Sequence, residues 1–267
     1  MAITFENSPV MIITEDETEI SLLASTASIS IANPRRGIKS LGIPGFAGQI
    51  TDGPMVGTIS VSYYAEDNSE AIRGLFGAGE DVGIQTFDVY VGTTKCTEAV
   101  MNSMSINIEP YTPITCDVNM SFYGGYTIED DPQAAPAAPD GVMHGGATTI
   151  NPDQGDNDPL WSTDLVSCTY SLNQTINPVY LLGDMGPQGY SIEDTTVEVA
   201  LAGIGLGTIL DFDDICPEET KGTITLKGVC EAPLSDTLTF TGYIINPQIT
   251  VEPNKEINGS LTVFGTF

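Results

Sequence analysis

Apolar and polar residues alternate with a period of two in stretch after stretch of the chain, at 27–31, 58–63, 115–122, 196–201, 223–226 and 259–264. Successive side chains of a strand point to opposite faces, so each stretch predicts a strand with one buried face and one wet face. One segment departs from this rhythm. At 67–76, Asp67 or Asn68 can cap a helix, Ala71, Ile72, Leu75 and Phe76 fall on one side of it, and Gly77 stops it. The pattern predicts an all-β fold with short helices only.

The alternating stretches also repeat. Ser28-Ile-Ser-Ile matches Thr169-Tyr-Ser-Leu, Leu41-Gly42 matches Leu182-Gly183, and Thr58-Ile-Ser-Val matches Thr196-Val-Glu-Val. Farther on, Ser105-Ile-Asn-Ile-Glu-Pro matches Gln248-Ile-Thr-Val-Glu-Pro, and Met120-Ser-Phe-Tyr-Gly matches Leu261-Thr-Val-Phe-Gly. The same order at nearly the same spacing predicts an internal duplication. Between the copies, the stretch from Glu129 to Pro159 is rich in Pro, Ala, Gly and Asp and lacks periodicity. The expected organisation is an N-terminal arm at 1–19, a first domain at 20–126, a linker or surface excursion at 127–160 and a second domain at 161–267. Each domain is near the size of a single sandwich or barrel.

Charge narrows the partners. Lys and Arg number 8 against 36 Asp and Glu, a formal net charge of −28, so phosphate binding by counterion release is a poor fit to this surface. Only 16% of residues are charged, so the acidity reflects missing bases more than dense charge. Cys96, Cys116, Cys168, Cys216 and Cys230 form an odd set without a CxxC pair, which predicts reduced, mostly buried thiols and neither a disulfide framework nor a zinc site. The start, Met1-Ala-Ile-Thr-Phe-Glu-Asn, has no basic n-region or apolar core of a signal peptide, and no apolar run approaches the ~20 residues that cross a bilayer. A cytosolic, membrane-free origin is expected.

Candidate chemistry is sparse. His144 is the only histidine and has no Cys, Ser or acidic partner at a recognised spacing, so it reads as a loop residue and not a catalytic base. The GxSxG, HExxH, Walker and GxGxxG patterns are missing, and the glycines that follow Ala202 have the wrong spacing for a dinucleotide loop. Asp153-Gln-Gly-Asp-Asn-Asp and Asp211-Phe-Asp-Asp lack the spaced loop and terminal Glu of an EF-hand. Arg35-Arg36 suits an inter-subunit ion pair better than a phosphate site, and Trp161 suits a core or interface anchor. No catalytic, cofactor-binding or metal residues are expected, and no enzyme.

In the second copy, Val166-Ser-Cys-Thr-Tyr-Ser-Leu-Asn-Gln-Thr-Ile-Asn-Pro-Val-Tyr-Leu-Leu-Gly-Asp-Met-Gly-Pro runs from an alternating strand through a polar segment into an apolar-Leu-Gly step and a Gly/Pro loop. The first copy keeps that order, with Ile38-Lys-Ser-Leu-Gly-Ile-Pro-Gly-Phe-Ala-Gly as its loop. This resembles phage tail-tube (major tail) proteins, across most of the chain. The resemblance implies a structural virion protein with tandem tube domains, each a β-sandwich or half-barrel with one flanking short helix. Three subunits would form a ring, pairing strands edge to edge around a lumen, and rings would stack into the tube that conducts DNA during ejection. Partners implied are sister subunits, tape measure, tail terminator and baseplate proteins; DNA would pass without specific binding. Stacking would fall to the loops at 38–54 and 183–193, with Ile38, Leu41, Pro44, Phe46, Met185, Pro187 and Tyr190 as candidates. Acidic side chains facing the lumen would repel phosphates within about 8 Å at physiological salt. Rival readings are a baseplate hub or distal-tail adaptor, and a secreted carbohydrate-binding or adhesin module, which would want clustered exposed aromatics.

Overall fold

The computed structural model describes residues 10–39, 41, 48–66, 69–76, 84–129, 142–153, 165–182, 184, 186–204, 219–228, 235–250 and 258–266. The chain is all-β, as the alternation predicts, and every strand pairing is antiparallel.

The first half contains β1 (Val10–Thr14), β2 (Glu19–Leu22), β3 (Ala24–Ala32), β4 (Arg35–Ile38), β5 (Gly48–Thr51), β6 (Val56–Tyr64), α1 (Ser69–Arg73), β7 (Phe87–Val91), β8 (Thr94–Ile108) and β9 (Thr115–Ile128). Its strands pair in the order β3, β6, β9, β8, β7, β1, and β1 also pairs with β2. Only Leu23 separates β2 from β3, so the pairing closes on itself into a barrel. The inward-facing alternate residues fill it: Ile59, Val61 and Tyr63 from β6, Val118, Met120 and Phe122 from β9, and Met104 and Ile106 from β8 are all buried. Burial of each such side chain contributes roughly 1.5–3 kcal/mol, which is what holds the register against a one-residue slip.

The N-terminal arm expected at 1–19 is corrected by β1. Val10, Met11 and Ile12 are core residues, and β1 joins β7 to β2. The expected helix is shorter than 67–76. Ile72, Leu75 and Phe76 are buried as its apolar face requires, but Ala71 is exposed. Beyond Arg73 the chain tightens into turns in which Leu75 N–H donates to the Ile72 carbonyl and Phe76 N–H to that of Arg73, both at 3.1 Å.

The second half contains β10 (Thr149–Asp153), β11 (Leu165–Val179), β12 (Gly189–Ile204), β13 (Thr220–Lys227), β14 (Ser235–Thr250) and β15 (Asn258–Thr266). Its order is β11, β12, β15, β14, β13, β10. Position by position this is the order of the first half. Each half also places a strand glycine opposite a phenylalanine, Gly57 with Phe122 and Gly222 with Phe240, and in both a Cβ would overlap the ring. Among the described residues the second half has no α-helix, and β10 does not pair with β11.

The linker expected at 127–160 is corrected where it is described. Ile128 still belongs to β9, β10 lines the edge of β13, and Met143 is fully buried, with its N–H bonded to the Ala65 carbonyl and its carbonyl accepting from Ile114 N–H, each at 2.9 Å. The halves are not tethered domains but share one sheet and one core cluster.

Candidate assembly interface

The seam between the halves is a strand pair. The C-terminal part of β8 pairs with β11, from Ser103 opposite Asn173 to Ile108 opposite Cys168. On the inner face Met104, Ile106 and Ile108 meet Leu172, Tyr170 and Cys168, all buried. On the outer face the Ser105 and Ser171 hydroxyls lie 3.4 Å apart, and the Thr169 hydroxyl donates to Asn107 Oδ1 at 3.3 Å. Arg73 of α1 covers the seam from one end, its guanidinium 5.8 Å from the Tyr170 ring centroid.

Two edges with the same place in the strand order remain open. β3, which stands first in its half as β11 does in the other, pairs only with β6 among the described residues. β14 stands where β8 does. Its first part, to Gly242, pairs with β13, whereas Tyr243–Thr250 has β15 on one side and no described strand on the other. These edges are solvent-facing: Ser28, Ser30, Ile31 and Ala32 are exposed, as are Tyr243, Asn246 and Gln248. Neither carries a lysine, the usual device that blunts an edge.

The loops expected to stack are partly strand. Around the first loop, β4 and β5 form a two-stranded ribbon in which Ile38 opposes Gly48 and stays exposed. Leu41 beyond it is fully exposed, and Pro44 and Phe46 lie outside the described residues. Arg36 pairs within the chain, its Nε 3.3 Å from Asp52 Oδ1 across the ribbon base. In the second half, β11 ends at Val179 and β12 begins at Gly189, so Tyr190 is a strand residue opposite Pro178. The Tyr190 ring lies 5.4 Å from that of Tyr123 in β9, and burial pushes its hydroxyl pKa up. Pro187 is half-buried in the turn, and Met185 lies outside the described residues.

The structure adds residues the sequence reading passed over. Val179, Tyr180, Leu181 and Leu182 form an exposed apolar tip, with Leu182 projecting fully into solvent. The signal was there: four consecutive apolar residues immediately before a Gly/Pro turn are too greasy for a hairpin tip that meets only water.

His144 is a structural residue. Its Nδ1 accepts from Gly146 N–H at 3.1 Å, capping a 3-10 turn at Gly145–Ala147, and its own N–H donates to the Lys227 carbonyl at 3.0 Å. Cys96, Cys116 and Cys168 are buried thiols; burial pushes Cys96 up to about 11 and the other two up to about 12. Cys216, Cys230, Trp161 and the acidic run at 211–214 lie outside the described residues, as do the side chains of the run at 153–158.

No protein-family model matches the chain, and no curated protein matches its sequence.

Proposed function

We propose that this chain is a structural subunit of a phage tail tube, assembling with sister copies into rings that stack into the conduit for DNA. The observation that carries the reading is the seam: two units of identical strand order already sit side by side through an edge pairing, β8 to β11, as neighbours in a ring would. Repeating one such junction generates either a closed ring or a filament, depending on whether the rotation closes. The exposed tip at Val179–Leu182 and Leu41 beside the β4–β5 ribbon supply apolar surface for stacking one ring on the next. The net charge of −28 suits a wall along which phosphates slide without sticking.

Negative-stain electron microscopy of the purified protein across a concentration series tests this. Long cylinders with a central lumen are the expected result, and single rings that never lengthen would favour a baseplate hub or adaptor. A particle that stays monomeric at every concentration overturns the reading.

A further inference from the structure

We infer that the open edge of β14 in one copy pairs with the open edge of β3 in the next, head to tail, in the register of the internal seam. This rests on the assembly reading above and specifies its junction. The argument is one of equivalence. Within the chain, the later part of β8 offers the edge left free by β7 and receives β11. In the second half, the later part of β14 offers the edge left free by β13, and nothing described receives it. The strand that stands where β11 stands is β3, and its outer edge is open too. Within one chain the two edges are separated along the strand order by the strands on either side of the seam, and among the described residues they do not pair. A second copy can bring them together, and it leaves the same two edges open at its far ends, so the contact is heterologous and propagates.

The sequence repeat fixes the register. Ser105 matches Gln248 and Ser171 matches Ser30, and Ser105 opposes Ser171 in the seam. Gln248 of one copy should therefore oppose Ser30 of the next, and Thr250 should oppose Ser28, as Asn107 opposes Thr169. Ser28 and Ser30 alternate with Ala27, Ile29 and Ile31, so the polar set lies on one face and the apolar set on the other, as in the seam. Pro247 falls opposite Ile31 and has no N–H to donate, a gap an edge strand tolerates.

The test is proximity in the full-length protein. Ser30→Cys with Gln248→Cys, treated with a short bismaleimide, should give a ladder of covalent dimers, trimers and higher species on a denaturing gel. Either single variant should give no ladder above wild type. Thr26→Cys with Gln248→Cys places the thiols four residues out of register, about 13 Å along the strand, and should cross-link poorly. As a variant-free readout, amide exchange at 28–32 and 246–250 should slow by at least about tenfold on assembly of the wild-type protein. Rings or tubes without the Ser30–Gln248 cross-link and without protection of these edges would overturn the pairing while leaving the assembly reading intact. A protein that neither assembles nor cross-links overturns both.

Discussion

Gly57 is the second residue of β6 with its Cα opposite that of Phe122, and a Cβ added there would overlap the phenyl ring. Phe122 is fully buried, so the ring has no free volume into which to swing. Two effects oppose each other in Gly57→Ala. Overpacking costs about 1–3 kcal/mol, while replacing a strand glycine recovers roughly 0.5–1 kcal/mol of backbone entropy. The overlap wins, and the variant should be less stable by about 1–2 kcal/mol. With a urea m-value of about 2–3 kcal/mol per molar, that is a midpoint lowered by about 0.5–1 M, readable by far-UV circular dichroism. The sign should reverse when the ring is gone. Phe122→Ala alone costs about 3–5 kcal/mol, but adding Gly57→Ala to it should raise the midpoint again, because only the entropy gain remains. The coupling between the two sites then reaches about 2 kcal/mol, within the range for residues in contact. If Gly57→Ala stabilises the otherwise unaltered protein, the ring does not cover the glycine and the packing argument fails. Gly222→Ala opposite Phe240 should behave in the same way.

Three further outcomes are expected. The thiols of Cys96, Cys116 and Cys168 ionise in the folded chain only near 11–12 against an ordinary 9.0, so their contribution to stability is complete below the ordinary value and is lost as the pH climbs from there through the folded values. The urea midpoint should therefore fall between about pH 9 and 11, less steeply in Cys168→Ala, and an equal slope in that variant would refute the assignment. Arg36→Ala should change stability by less than about 1 kcal/mol, since its ion pair with Asp52 is well exposed on both sides; a larger loss in thermal unfolding would mean the pair is not the surface contact described. Leu182→Asp should leave the unfolding free energy within about 0.5 kcal/mol of wild type. It should also shorten or abolish cylinders in electron micrographs, and unchanged cylinder length would remove the tip from the stacking role.

The strands were legible where one face is wet. Alternation marks β6, β9 and β12 because solvent demands polar residues on every second position. β1 escaped because Val10, Met11 and Ile12 are all buried, and a short apolar run buried on both sides has no period to detect. β10 escaped for the opposite reason: Thr149–Asp153 contains Pro152, which argues against a strand unless it lies at an edge, where β10 does lie. Local pattern also understates length. β11 and β12 extend well beyond their alternating cores into a long hairpin whose outer pairs include Pro178 with Tyr190 and Val179 with Gly189, held by the ladder and not by burial of either strand alone. Of the candidate surface, Leu41 and Pro187 lie outside strands as the nearby Gly and Pro suggested, whereas Ile38 and Tyr190 are strand residues, and the open edges left no local sign. An edge is defined by what fails to pair with it, and that is a property of topology with no local signature.

The strand β2 has no described counterpart beside β11. One unit of each chain thus closes its strand order through β2, while among the described residues of its sibling β10 and β11 do not pair. However alike the siblings look from a distance, the proposed collar of such chains would be periodic only by whole polypeptides. A molecule that docks on the β2-bearing member of the proposed ring would find a foothold on every other unit around the circumference, at a pitch set by the chain.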